Sequence, residues 1–165
     1  MTNDAVNPVC GSIIAGAKER VVRILYYDCF SGISGDMNLG AMVDLGVDPG
    51  FLSGELEKLG LKGYELRIGK DQRRGIYGSR VDVILSSEGS ITRKRRDQHT
   101  AFKDIAALIE KSSLSGEVRR LSLEIFTKIA EAEAKIHGHS VEQVQFHEVG
   151  AIDSIIDIVG AAICL

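Results

Sequence analysis

The segment from Ile152 to Leu165 constrains this chain most, because its apolar residues fall on every side of a helix and only Ser154, Asp157 and Gly160 interrupt them. A helix of that composition has to be enclosed, so the remaining elements are expected to wrap it. The residues leading into it make the enclosure chemically unusual. In the stretch Val144–Asp157, the side chains of His147, Glu148, Asp153 and Asp157 place four potential metal or proton ligands within eleven positions. Asp153 and Asp157 lie one helical turn apart, with Cβ atoms roughly 5–6 Å from each other, and repel unless a cation, a proton or a basic group intervenes. A structural alternative stands beside this reading: Asp153 caps the helix and Asp157 faces water. Charged groups on so apolar a segment nevertheless need partners.

The elements available to cover this helix can be taken in order. Residues 1–20 read as a flexible N-terminal extension, and one domain is expected over 21–165, starting with a buried strand at Val21–Tyr27. The strand runs into Asp28-Cys29-Phe30-Ser31-Gly32-Ile33-Ser34-Gly35-Asp36 and then a helix from Met37 to Leu45. In a strand–loop–helix unit, loop N–H groups at Ser31, Gly32, Ser34 and Gly35 suit an anion, and acidic residues such as Asp28 and Asp36 suit a metal. The alternative makes Asp36 a first-turn charge favoured by the helix dipole and the glycines turn formers. Asp48 and Pro49 open a second helix carrying Phe51, Leu52, Leu56 and Leu59. Alternation then predicts a hairpin, Tyr64–Ile68 with Tyr77–Leu85, joined by Lys70–Gly75; Arg74 in that connection is a candidate anion contact. Periodicity is lost from Ser86 to Gln98, which reads as a mobile loop carrying Arg93-Lys94-Arg95-Arg96, with His99 at its exit. Thr100 is expected to cap a helix bearing Phe102, Ile105, Leu108 and Ile109. Ser115 to Ile136 predicts the longest helix, with Val118, Leu121, Ile125, Ile129, Ala132 and Ile136 as its apolar stripe and Gly138 as its C-terminal cap. His137 and His139 beyond it suit the helix dipole as well as they suit a metal.

Composition narrows the function classes. With 44% hydrophobic and 26% charged residues, the 165-residue chain is an ordinary globular one with enough material for a core. Its net charge of −3 argues against a general nucleic-acid binder. That charge is uneven: nine Lys/Arg stand against three Asp/Glu between Arg67 and Arg96, leaving the remainder more acidic than the whole. Such asymmetry suits an anionic ligand on one side and a cation on the other. Cys10, Cys29 and Cys164 form no CxxC pair and no even set, which argues against a disulfide framework and for a reducing, cytoplasmic setting. No segment reads as a signal peptide or membrane span.

Two segments, Asp28–Asp48 (DCFSGISGDMNLGAMVDLGVD) and Phe146–Ala161 (FHEVGAIDSIIDIVGA), resemble the signature stretches of the LarC family. The likeness runs in consistent order from about Val21 to Leu165 and includes the IFTKIAEAEAKIHG helix. It implies CTP-dependent insertion of nickel into a pyridinium bisthiocarboxylate mononucleotide, the precursor of the nickel-pincer cofactor, with Mg or Mn as an accessory cation. Such a chelatase or cyclometallase belongs among the lyases. Nickel handover needs borderline or soft ligands and cationic groups for a phosphorylated substrate. The candidates that fit are Cys29, His99, His147, Glu148, Asp153 and Asp157 for metal, and Asp28, Asp36, His147 and Glu148 for catalysis. Ser31, Gly32, Ser34, Gly35 and Arg74 are the candidates for the anionic, nucleotide-like substrate. The chain departs from the family at Gln145, where a histidine is usual, and at His99-Thr100-Ala101, where a His-Arg-His run is usual. Both changes thin the ligand set.

Typical family members continue further, with the nucleotide-binding part in the remainder. The expected partner is therefore the C-terminal half, with self-association as a further alternative, and the chain reads as a front half, a fragment or a decayed copy. Two rival functions stand beside nickel insertion: a non-catalytic scaffold that docks the nucleotide-binding half, and a metal-dependent phosphohydrolase built on Asp28 and Asp36. The expected fold is α+β, mixed α/β, with a small sheet of three or four strands covered by helices.

Overall fold

The computed structural model describes residues 24–85, 100–146 and 149–165, which fall into two units, residues 24–30 and Ser31–Leu165. The 1–20 extension and the Arg93–Arg96 loop lie outside the described residues. The second unit holds helices α1 (Gly35–Asp44), α2 (Pro49–Glu57), α3 (Phe102–Lys111), α4 (Gly116–His137) and α5 (Ile152–Cys164). It also holds strands β1 (Tyr64–Arg73), β2 (Ile76–Leu85), β3 (Thr100–Ala101) and β4 (Gln145–Phe146). The class is α+β, as expected. In place of one sheet of three or four strands, the described residues form two antiparallel pairs, β1 with β2 and β3 with β4.

Helix α5 is enclosed as its composition demands. Ile155, Ile156, Val159, Ala162 and Ile163 are buried, and α1, α2, α4 and β2 all pack against it. At roughly 1.5–3 kcal/mol for each large aliphatic side chain, this burial is a substantial contribution to the stability of the core. Two glycines allow the close approach. A Cβ at Gly160 would lie 2.9 Å from Leu39 Cδ2, and one at Gly40 would overlap the Ser79 carbonyl oxygen. Glycine there lets α1 settle onto both α5 and β2.

Local signals set most helix ends. Asp48 Oδ1 accepts a hydrogen bond from Phe51 N at 2.7 Å, ahead of Pro49, and Ser115 Oγ accepts one from Val118 N at 3.2 Å. Gly138 closes α4 in the left-handed region at φ 68°. The buried line of α4 is nevertheless Ser122–Phe126–Ala130–Ala134, and Ile136 of the expected stripe is exposed. The helix is rotated because Phe126 enters the core beside Phe146, with ring centroids 6.2 Å apart.

The hairpin is longer and tighter than the alternation implied. Pairing continues to Arg73↔Ile76, so the turn is only Arg74-Gly75, with positive φ of 50° and 85°. Both signs mark a type I′ turn, whose twist suits a hairpin. Leu66 opposite Val83 and Ile68 opposite Val81 turn their side chains to the core. Asp44, the last residue of α1, ties the hairpin down: Oδ2 accepts from Ser79 N at 2.7 Å and Oδ1 from Ser79 Oγ at 2.7 Å, and Lys70 Nζ lies 2.5 Å from Oδ1. The Lys70 bond and then those from Ser79 hold its carboxyl well below the usual carboxylate range.

The strand expected at Val21–Tyr27 is a correction. Its first residues lie outside the described ones. Ile24–Tyr27 form no strand, and Ile24 and Tyr26 are exposed. A β-branched run becomes a strand only against a partner ladder, and among the described residues β1 and β2 pair only with each other.

Two outcomes are expected from denaturant unfolding. Arg74→Asn, which places an Asn-Gly pair in the I′ turn, should stabilise the chain by about 0.5–1 kcal/mol. Asp44→Asn should destabilise it at neutral pH. That loss should shrink only as pH falls below the ordinary carboxylate range towards the lowered native value, because the stabilising form is the ionised one. An effect of Asp44→Asn that does not change with pH would rule out the charge as its cause.

Candidate functional site

The first turns of α1 and α5 bring three carboxylates together. Asp36 lies in the first turn of α1, Asp153 in the first turn of α5, and Asp157 one turn further along α5. Gly35 is the contact point, because a Cβ there would overlap the Asp157 carboxyl group. The side chain of Asp157 is half-buried, and its Oδ1 is shielded without a hydrogen-bond partner among the described residues. Burial first, then the charges of Asp36 and Asp153, pushes its pKa up to about 6. Asp157 therefore exchanges a proton close to neutral pH, unlike an ordinary surface aspartate.

Asp153 does not cap α5. That position falls to Ala151, which makes no side-chain cap, and Asp153 Oδ1 accepts from Ser154 N at 2.9 Å. Ser34 likewise occupies the N-cap of α1 without a side-chain hydrogen bond. The α1 end is met instead by the acidic side chain of Asp157, an arrangement a helix N-terminus favours.

A second grouping lies just before α5. Thr100 pairs with Phe146 and Ala101 with Gln145, and Phe102 N donates to Val144 O at 3.0 Å. Thr100 was expected to cap α3, but the N-cap is Ala101. The Thr100 hydroxyl instead donates to Gly150 O at 3.0 Å. A Cβ at Gly150 would stand 2.7 Å from Thr100 Cβ, so only glycine fits this close crossing. Phe146 is buried between Phe102 and Phe126. The sequence signal for this arrangement was the glycine after the His-Glu pair; nothing local revealed its partner.

The remaining candidates are placed as follows. His99, His147 and Glu148 lie outside the described residues. Asp28 and Cys29 are exposed and belong to the 24–30 segment. Ser31, Gly32 and Ser34 are exposed in the loop before α1, with Gly32 at φ 83°. Arg74 is exposed at the hairpin turn. His137 lies 3.2 Å from Glu133 on the last turns of α4. Among the described residues, no three His, Cys, Asp or Glu side chains are close enough to cage a metal, and no helix is long and apolar enough to cross a membrane. Asp157 thus feels the charges of Asp36 and Asp153, without a finished coordination shell among the described residues.

Comparison with known proteins gives this arrangement a family. The family described as "Nickel insertion protein" matches residues 25–165, and the chain belongs to it. Its relatives include the pyridinium-3,5-bisthiocarboxylic acid mononucleotide nickel insertion proteins of Akkermansia muciniphila, Clostridium kluyveri and Geobacillus kaustophilus, which are 52%, 54% and 51% identical to it. Each match covers 87% of this chain but only 36%, 37% and 36% of the respective relative. The chain therefore spans under two-fifths of the length of these curated relatives. No solved structure matches it significantly.

The raised pKa of Asp157 fixes the sign of a stability test. The native state holds this proton up to about pH 6, whereas the unfolded chain releases it near 3.8, so Asp157 costs stability increasingly as pH rises through that window. Asp157→Asn should raise the unfolding free energy at pH 7.5 by about 1–2 kcal/mol, a value discounted for the exposed part of the side chain, and by little at pH 4. Equal gains at both pH values would contradict the electrostatic account.

Proposed function

We propose that this chain supplies the nickel-handling part of a protein that inserts nickel into pyridinium-3,5-bisthiocarboxylic acid mononucleotide. The family and the names of the relatives support the reaction. The observation in the chain itself that carries the reading is Asp157, a half-buried carboxylate whose Oδ1 has no hydrogen-bond partner among the described residues and whose burial weakens the fold. Nickel(II) is a borderline cation that accepts imidazole and carboxylate ligands. In this proposal His99, His147, Glu148, Asp153 and Asp157 serve the cargo metal. Cys29 is a further ligand from the 24–30 segment, and Asp28 and Asp36 assist by charge. The pairing of Thr100 with Phe146, the sequence neighbours of His99 and His147, supports a shared role for those two histidines.

Chemically, Asp157 must lose its proton to hold the cation and can regain one as the metal departs, so a proton replaces the cargo without leaving a bare buried charge. Ser31, Gly32, Ser34, Gly35 and Arg74 are assigned to the anionic substrate. CTP with Mg or Mn, implied by the family resemblance, is assigned to the C-terminal portion present in the longer relatives. That portion is also the proposed partner, in a cytoplasmic setting.

Calorimetric titration of the purified chain with nickel, with magnesium as the control, tests this reading. Stoichiometric nickel binding is expected, lost in the His147→Ala/Asp157→Ala double variant; unchanged binding in that variant would refute those ligands. Affinity should also fall as pH drops below about 6, by up to about tenfold per unit, because protonated Asp157 cannot ligate.

A further inference from the structure

We propose that the outer edge of β1 pairs antiparallel with the same edge of a second copy of this chain, about a two-fold axis at Gly69, joining two hairpins into one four-stranded sheet. β1 and β2 are paired one to one along their whole length, with no bulge to bend the ladder. Among the described residues β2 is the only ladder partner of β1, and Gly69 in the middle of β1 is exposed. The backbone groups of the other edge are therefore a template for a further strand. No proline interrupts Tyr64–Arg73 to blunt that edge. Lys70, the one charge on the inner face of β1, is held by Asp44.

The outer face of β1 selects the partner. Alternate residues of a strand share a face, and on this side they are Glu65, Arg67, Gly69, Asp71 and Arg73. Turned about Gly69, the series meets its own reverse with opposite charges throughout. Glu65 faces Arg73 of the second copy, Arg67 faces Asp71 of the second copy, and both pairs recur across the axis. A slip of two residues, the smallest that keeps the faces, destroys this match. It sets Glu65 against Asp71 of the copy in one direction and Arg67 against Arg73 of the copy in the other. Within one chain these charges are loosely engaged: Arg67 reaches Glu65 at 3.7 Å and Arg73 reaches Asp71 at 4.0 Å. Asp71 also accepts from Gln72 N and Arg80, which leaves part of the roughly fourfold acceptor capacity of a carboxylate. On the outer face of β2, by contrast, Arg80 and Asp82 already bind each other at 2.8 Å. Gly69 has no packing duty inside the fold, since a Cβ there would meet nothing within 4 Å. Glycine weakens a strand interior and often marks a close approach of another backbone, and here it falls on the axis.

Sedimentation equilibrium of the 165-residue chain, from micromolar to near-millimolar concentration, tests the proposal. The parent is expected to form a concentration-dependent dimer. Arg67→Asp and Asp71→Arg each place like charges at two symmetric contacts and should weaken it about tenfold or more, while circular dichroism shows both variants folded. Mixed in equal amounts, the two variants complement each other and should pair with about parent affinity, as should the double variant Arg67→Asp/Asp71→Arg with itself. A purely structural loss would not recover in this way. Should Asp71→Arg fail to fold, Glu65→Arg and Arg73→Glu make the same comparison at the outer contacts. A monomeric parent overturns the proposal, and so does a dimer indifferent to these changes or a pair of weakened variants that stays apart on mixing. Protection of the β1 amides from hydrogen exchange only on adding the C-terminal portion of a longer relative would also overturn it, and would make that portion the occupant.

Discussion

Enclosure of α5 is the constraint from which the rest of the unit follows. No single neighbour can bury a helix with apolar residues on all sides, so α1, α2, α4 and β2 each take a share of its surface. Close packing then removes freedom elsewhere. Leu39 needs the space that Gly160 leaves, and Gly40 needs to touch the Ser79 backbone, so α1 has one acceptable depth between helix and hairpin. That depth puts Gly35 directly over Asp157. The acidic contact is thus a geometric consequence of the hydrophobic arrangement, and its energetic cost has to be carried by it.

The two carboxylates at opposite ends of α1 show how different that cost can be. Asp44 at the C-terminal end is on the unfavourable side of the helix dipole, yet Lys70 and two groups of Ser79 more than offset this and keep it ionised. It works as a fastener between α1 and the hairpin. The contact of Asp157 with the N-terminal end is on the favourable side of the dipole, yet desolvation and two neighbouring carboxylates outweigh that benefit. A group whose ionisation opposes the fold, with one oxygen shielded and unpartnered among the described residues, is where a function is to be sought.

What was legible in the sequence follows the range of the interaction. Caps at Asp48, Ser115 and Gly138 act within one turn, so their residues state them openly. The hairpin was legible because alternation and a turn glycine are local, although Arg74 at positive φ hid how tight the turn is. The strand expected at Val21–Tyr27 was not decidable locally, because a strand exists only with a neighbour. The face of α4 was misjudged for a related reason: isoleucines at helical spacing outnumber Phe126, but one aromatic side chain meeting Phe146 fixes the rotation. Asp153 and Asp157 could be paired by spacing alone. Their meeting with Asp36, and the duty of Thr100 towards Gly150, are tertiary facts with no local trace.

Both groupings lie at one end of α5, and that location bears on what such a site can do. The amide ends of a helix N-terminus favour anionic groups, so they support ionised carboxylates there, while burial of Asp157 opposes ionisation. The two effects leave its proton poised near neutrality, with no finished cage among the described residues. A resident structural metal would be better served by a closed shell of ligands with low pKa values, which binds tightly and releases slowly. A cation that must be passed on is better served by an incomplete shell in which a proton can replace it. A carboxylate whose proton leaves near pH 6 can exchange that proton for a cation, as the role proposed for Asp157 in nickel handling requires.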